Sequence, residues 1–397
     1  MHTPQSVLST SMRGEDTSRC PPEGWHVMGL MSGTSVDGLD MARVRITRDA
    51  QSNVWNCEMK AFSTEAYPES LRIRLWDAMK LDAESLFKLH VDWAKWTSQS
   101  VNRWLQDCQL GRPDLIGSHG HTVFHRPEEG WTLQIGCGAT LYAELDIPVV
   151  CDFRQLDMAS GGQGAPLVPL ADRELFGNWD VALNLGGFAN LSMEDPIKGR
   201  VAWDVGPANL LLNLLVGTKG LTMDMNGELA SKGTVIPELL KRWKGLSFHQ
   251  KSAPKSLGRE WLEQEVWPLA LRAMERHSLE DVLATAVSYA SWAIVRDVPD
   301  DVSVLVTGGG AFNSTLMGEL HRQSAGRNIE WHVPHDDLVH GKEAMVFAWL
   351  ALLRWLDEPN VLTSVTGSRR ATSGGALWGA SPSSLGMPLA YLRDAKQ

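Results

Sequence analysis

The chain has 397 residues, 43% of them hydrophobic, and a formal net charge of −10. That is enough apolar material for two domains or one large α/β unit, and the absence of a basic stripe excludes nucleic acid as the main partner. Five cysteines at 20, 57, 108, 137 and 151 include no CxxC pair, which excludes a disulfide framework or zinc site and fits a reducing, cytoplasmic compartment.

Residues 1–24 are polar, lack the apolar stretch of a signal peptide and read as a disordered tail. No apolar run reaches membrane-spanning length, so no membrane partner is expected. Met28 to Ile46 reads as a β-hairpin, with an apolar run that breaks at Gly33-Thr34-Ser35, a turn signal at Asp37-Gly38 and then alternating residues. Its tip carries hydroxyls, glycines and the carboxylates Asp37 and Asp40, a composition that suits a phosphate arriving with Mg²⁺. A strand follows where a Walker loop or Rossmann fingerprint needs a helix, which excludes both. An ordinary hairpin without a ligand is the competing reading of this stretch.

A third strand at 54–63 favours an antiparallel start to a mixed sheet. Pro68 opens a helix to about Lys80, and Asp82 caps a second one whose Leu86, Leu89, Trp93, Trp96 and Trp104 form a core stripe. A short strand ends at Gly117, and His119, His121 and His125 follow within seven residues. Without a helical i,i+4 pair they suit polar contacts to a substrate better than zinc. A strand at 132–138 carries Gln134 into a Gly turn, and a buried strand at 147–153 exits into a loop with Arg154, Asp157 and several glycines. Open α/β sheets place their sites on such loops, and a carboxylate there can act as a general base. In the alternative, Arg154 pairs with Asp152 or Asp157 and only fixes the loop.

A second half begins near Leu167. Val181 to Met193 repeats the layout of strand, glycine pair (Gly186, Gly187) and strand, with Asn190 in the return strand. A strand carrying Asp204 leads into a helix from Leu210, just after Asn209. Residues 234–300 are mostly helical. Strand 302–307 then meets Gly308-Gly309-Gly310 and a helix from Ser314, just after Asn313, a backbone that can lie flat against a planar or charged group. A later helix contains Glu343, and 358–375 reads as a loop closing back onto the first domain.

Two phosphate-type hairpins and a late Gly turn together resemble the actin/hexokinase/Hsp70 superfamily of ATPases. Within it, nine ordered blocks, among them GLMSGTSVDGLD (29–40), GSHGHTVFHRP (117–127), DVGPAN (204–209) and TGGGAFN (307–313), resemble the anhydro-N-acetylmuramic acid kinase family. The resemblance implies an α/β fold with two actin-like (ribonuclease H-like) domains, mixed sheets flanked by helices, and a central cleft. Domain I would be 25–165 plus about 358–397, and domain II 166–357. It implies ATP and Mg²⁺ as cofactors, an anhydro sugar as substrate, a homodimer, and phosphorylation of O6 while water opens the 1,6-anhydro bridge.

By the same resemblance, Asp157 is the catalytic carboxylate and Arg154 its companion. Gly33, Thr34, Ser35, Val36, Asp37, Gly38, Leu39 and Asp40 hold phosphate, opposed by Gly186, Gly187 and Asn190. Gly308, Gly309, Gly310 and Asn313 border the nucleoside. His119, His121, Gln134, Asp204 and Asn209 contact sugar, and Asp37 and Glu343 contact metal. His121 stands where the family commonly has Gln, and the block at 360–368 is looser than usual. Levoglucosan kinase activity, or a non-catalytic sugar- or nucleotide-binding regulator, stays open as an alternative.

Overall fold

The computed structural model describes residues 21, 23–33, 35–253 and 255–379. Most of the expected tail at 1–24, the phosphate residue Thr34, and the 380–397 part of the expected first domain lie outside the described residues. Strands β1 (Trp25–Ser32), β2 (Gly38–Arg48) and β3 (Trp55–Ala66) form an antiparallel meander, as the alternating pattern predicts. Helices α1 (Glu69–Trp76) and α2 (Ala83–Asp107) follow. Asp82 caps α2, its carboxylate accepting the Ser85 N–H at 2.9 Å. The first half continues through β4 (Leu115–Arg126), β5 (Trp131–Ile135), α3 (Gly138–Leu145), β6 (Val149–Cys151), α4 (Gln155–Ala159) and α5 (Val168–Glu174).

The second half opens with β7 (Val181–Leu185), β8 (Phe188–Asp195), β9 (Gly199–Pro207) and α6 (Asn209–Gly217). Then come α7 (Pro237–Lys244), α8 (Arg259–Trp261), α9 (Trp267–Met274) and α10 (Leu279–Asp297). Strand β10 (Val302–Thr307), α11 (Ser314–Gln323), β11 (Ile329–His332), α12 (Asp336–Trp355), α13 (Thr363–Thr366) and β12 (Ala376–Trp378) complete the chain.

The two sheets share one topology. The first runs β12-β6-β4-β1-β2-β3 with β5 beside β4, and the second runs β11-β10-β7-β8-β9. In each, a three-stranded antiparallel meander is followed by two strands parallel to its first: β4 and β6 beside β1, β10 and β11 beside β7. That duplicated path is the ribonuclease H-like arrangement. β12 returns to pair antiparallel with β6, so the C-terminal segment does close back onto the first sheet.

Helix α12 joins the halves. Its buried run from Ala344 to Leu356 shares one apolar cluster with Trp25, Val27 and Val44 of the first sheet and Leu305 of the second. Two glycines make room for it. Gly29 and Gly117 are register partners on β1 and β4. A Cβ at Gly29 would stand 2.6 Å from the Ala344 carbonyl carbon, and one at Gly117 would stand 2.9 Å from that of Phe347. Gly117 therefore marks a close helix approach rather than a strand end. This corrects the expected stop: β4 runs on through all three histidines, bending at Gly120, whose φ is 76°. The expected turn at 136–138 leads directly into α3, and the loop after Arg154 contains α4. The helix from Pro68 stops at Trp76 and gives way to a 3₁₀ turn at Ala78–Lys80.

Candidate active site

The first hairpin leaves β1 at Ser32 and enters β2 at Gly38. Gly38 already belongs to β2, where a Cβ would meet the Glu65 carbonyl oxygen at 2.7 Å. Val36 takes the left-handed region at φ 56°, a strain of about 1–2 kcal/mol for a β-branched residue. Its side chain is buried in one cluster with Leu39, Met41 and Tyr67, which holds the tip in place. The Ser35 hydroxyl donates to Asp37 Oδ1 at 2.9 Å, and the Thr64 hydroxyl donates to Asp40 Oδ1 at 2.6 Å. Burial raises the Asp40 carboxyl to about 6; the Thr64 bond opposes this, and the Asp37 and Glu343 charges add to it. Glu343, half-buried on α12, is also raised by burial, against the pull of Arg154 and Lys342.

Arg154 pairs with neither Asp152 nor Asp157. Its Nε and Nη2 reach His119 Nε2 at 3.0 and 2.9 Å, and its Nη1 donates to the Gly164 carbonyl at 2.6 Å. Because the guanidinium can only donate, His119 Nε2 accepts, and Nδ1–H donates to the Gly120 carbonyl at 2.9 Å. Burial, then the Arg154 charge, pushes His119 far below its usual range and keeps the ring neutral. Burial also lowers Arg154 to about 10, with Glu343 pulling the other way. Phe347 of α12 covers the His119 ring at 4.5 Å between centroids.

Asp157, on α4, is 0% exposed. Its Oδ1 accepts the Thr366 hydroxyl and its Oδ2 accepts the Gly164 N–H, both at 2.8 Å. One loop residue, Gly164, thus touches both Arg154 and Asp157. Thr366 arrives from α13 across 209 positions of sequence. Gln134 lies beside Thr132, whose hydroxyl its amide reaches at 2.7 Å, and its Oε1 is a buried acceptor without a partner among the described residues.

In the second sheet, Asn184, Asn190 and Asp204 are register partners across β7, β8 and β9, and so share a face. Asp204 is raised to about 6 by burial, although its Oδ2 accepts the Leu257 N–H at 2.7 Å. Gly186 and Gly187 form the β7–β8 tip, and their carbonyls accept the N–H groups of Ala208, Asn209 and Leu210 at the start of α6. The Asn209 amide donates to the Leu185 carbonyl at 2.9 Å. Gly308, at φ 83°, turns against Asn184 and Leu185, and a Cβ at Gly309 or Gly310 would meet Asn209. Asn313 caps α11 through Leu316 N–H at 3.0 Å, so its side chain is committed to the helix.

Of the first-half residues, His119 and Asp157 are thus tied to Arg154, directly and through Gly164, while His121, Gln134 and the hairpin carboxylates bond other partners; of the second-half residues, Gly186, Asn209 and Gly308 pack together around Leu185. Ser32, Thr64, Tyr67, Thr366 and Asn184 escape sequence reasoning because their partners lie far away in the chain. Among the described residues, no three His, Cys, Asp or Glu side chains converge to hold a metal ion by themselves, and no helix is long and apolar enough to cross a membrane.

A duplicated ribonuclease H-like sheet, with a Gly-tipped hairpin in each half and half-buried carboxylates beside the first, defines an actin-like ATPase fold. The sequence profile of the anhydro-N-acetylmuramic acid kinase family matches residues 25–380. A protein of that name from Synechococcus sp. (strain WH7803) is 35% identical over 384 residues, covering 87% of this chain and 97% of its own. Another, from Pseudomonas fluorescens (strain Pf0-1), is 37% identical over 344 residues, covering 82% of this chain and 91% of its own. Among solved structures, the activator of 2-hydroxyisocaproyl-CoA dehydratase from Clostridium difficile with bound ADPNP has a TM-score of 0.42 at 13% identity, covering 82% of this chain and 94% of its own. The chain belongs to the anhydro-N-acetylmuramic acid kinase family.

Proposed function

We propose that this protein is an ATP-dependent kinase that opens the 1,6-anhydro bridge of 1,6-anhydro-N-acetylmuramic acid with water and phosphorylates O6. The products are N-acetylmuramate 6-phosphate and ADP, and the role is cell-wall recycling in the cytoplasm. The observation that carries this reading is the fully buried Asp157 carboxylate, held by the Gly164 N–H and the Thr366 hydroxyl at 2.8 Å, with the Gly164 carbonyl in turn bound by Arg154.

In this reaction Asp157 takes a proton from the water whose oxygen bonds to the anomeric carbon. The bond from that carbon to O6 breaks, O6 bonds to the γ-phosphorus of ATP, and the bridging electrons leave with ADP. Arg154 orients the Asp157 loop through Gly164. The 33–40 hairpin holds phosphate from the first sheet. Gly186, Gly187 and Asn190 hold it from the second, with Gly308, Gly309 and Gly310 along the nucleoside. His119, His121, Gln134, Asp204 and Asn209 face the sugar. The complete burial of Asp157 fits a cleft that closes around the reacting atoms, which limits futile hydrolysis.

Mg²⁺ fits the first hairpin. The Glu343 charge adds to the raised proton affinity of Asp40, no metal cage forms among the described residues, and Mg²⁺ takes one or two carboxylates plus phosphate oxygens rather than an all-protein cage. Asp37 and Glu343 would hold it, and it would supply charge neutralisation at the transferring phosphoryl group. A homodimer is the proposed assembly. The test is ADP release with 1,6-anhydro-N-acetylmuramic acid, levoglucosan and ordinary hexoses. Turnover on the first supports the reading, turnover on levoglucosan alone reassigns the substrate, and no turnover on any overturns the kinase.

A further inference from the structure

One buried chain of hydrogen bonds runs behind His121, one of the residues proposed to face the sugar, through three residues that have no role so far. Trp93 Nε1 donates to the Tyr67 hydroxyl at 3.1 Å, Tyr67 donates to Ser32 Oγ at 2.7 Å, and Ser32 Oγ lies 3.0 Å from His121 Nδ1. All four residues are buried, Ser32 to 1% exposure. An indole N–H can only donate, which fixes the direction at one end. Tyr67 accepts from it, so its own proton must go to Ser32. Ser32 then has a single proton to give, and His121 Nδ1 is its acceptor. Were Nδ1 to carry the proton instead, the Ser32 hydroxyl proton would be buried with no acceptor.

His121 Nδ1 is therefore a lone pair, and the ring proton sits on Nε2. That nitrogen has no acceptor among the described residues, and it is not among the sealed polar atoms. Ser32 is the last residue of β1, immediately before the first hairpin tip, and His121 stands two positions beyond His119 of the Arg154 group. Ser32 and His121 are register partners on β1 and β4, so the donor stands on the strand beside the one that enters the tip. Protonation to imidazolium would place a second N–H against Ser32, which the relay opposes; burial lowers the ring to about 4 in the same sense. A donor locked in its neutral form matches a neutral acceptor better than a phosphate.

We propose that the Trp93–Tyr67–Ser32 relay fixes His121 as a one-way hydrogen-bond donor that binds an uncharged acceptor oxygen of the sugar substrate, with Ser32, Tyr67 and Trp93 as positioning residues. This rests on the kinase reading for the identity of the ligand, but the tautomer does not depend on it. A Gln at position 121 reproduces the polarity, its carbonyl accepting from Ser32 and its amide donating outward. A Leu does not.

The experiment is a long-range ¹H–¹⁵N spectrum of the full-length protein with labelled histidine, the His121 ring being assigned by its loss in His121→Gln. The expected result is a single neutral ring with the proton on Nε2, whose signal moves on saturation with 1,6-anhydro-N-acetylmuramic acid. Tyr67→Phe, which frees Ser32 to accept from Nδ1–H, should give a mixture of tautomers and a roughly tenfold higher sugar KM, with the ATP KM little changed and the melting temperature lowered by only a few degrees because Trp93 Nε1–H loses its buried acceptor. His121→Gln should keep the sugar KM within about threefold and His121→Leu should not. A proton on Nδ1 in the unaltered protein, a charged ring at neutral pH, or a signal that responds to ATP but not to sugar overturns the proposal. If the signal moves with sugar but no ADP is released, the relay stands and the kinase reading fails.

Discussion

Gly162→Ala tests whether the Asp157 cage is what makes this site work. Gly162 has an ordinary backbone φ, so the substitution adds a methyl group without backbone strain. That methyl would stand 2.7 Å from Asp157 Cγ and 2.8 Å from Oδ1, with Oδ2 nearer still. Non-bonded carbons settle at about 3.5–4.0 Å, so the carboxylate must retreat by roughly 1 Å. It cannot do so and keep its 2.8 Å bonds to Gly164 N–H and the Thr366 hydroxyl. Losing one hydrogen bond to a charged group costs about 1.5–3 kcal/mol, or roughly 2–4 °C in melting temperature for a chain of this length. A 1 Å misplacement of a reacting group costs on the order of a hundredfold in rate. In a coupled ADP-release assay, kcat should fall about a hundredfold while the ATP KM stays within about twofold. Gly318→Ala, where the methyl meets nothing within 4 Å, is the control and should leave both unchanged. A folded Gly162→Ala protein turning over within threefold of the parent would refute the assignment of Asp157.

Asp157→Asn should retain ATP affinity in calorimetry yet lose turnover by about 10²–10⁴-fold, the range for a general base. Asp40 is raised from its ordinary 3.8 to about 6, so the native chain binds this proton more tightly than the unfolded one. Its ionisation therefore lowers stability as pH rises through about 6, and relief is complete only below about 4. Asp40→Asn should melt higher than the parent at pH 8, by up to about 3 kcal/mol, with the gap closing towards pH 5 and phosphoryl transfer impaired throughout. Lys342 and Asp172 form a buried pair at 2.7 Å. Lys342→Met should cost about 3–5 kcal/mol in urea unfolding by stranding Asp172, and adding Asp172→Leu should recover most of it.

The meanders of both sheets were legible because alternation and turn residues act locally. So were the Asp82 cap and the α2 stripe. The path of β4 was not, because Gly117 carries no label distinguishing a turn from a place where another backbone presses close. The backbone in question is that of α12, some 230 positions further on. The role of Gly38 was hidden for a related reason. Asp37-Gly38 has turn composition, yet Gly38 is small to clear Glu65 of β3, while Val36 takes the strained position because its side chain is anchored in the core. Of the candidate site, the carboxylates and glycine clusters could be named from sequence. Their partners could not. Thr366 reads as one residue of a Ser/Thr-rich loop, and Tyr67 as the residue before a helix-opening proline.

Helix α12 also sets an order of manufacture. On the ribosome, β1 to β6 emerge complete by Cys151, but the face bearing Trp25, Val27 and Val44 lacks most of its cover until residues 344–356 exist. Only then do Gly29 and Gly117 receive the helix they are shaped for, and β12 reaches the β6 edge later still. For the time it takes to make about two hundred further residues, roughly 10–40 s at 5–20 residues per second, the nascent first sheet presents an apolar surface and an open strand edge. Helix α12 and strand β12 thus act as the internal chaperone of β1 to β6, and a fragment ending before α12 should accumulate as aggregate rather than as a free-standing domain.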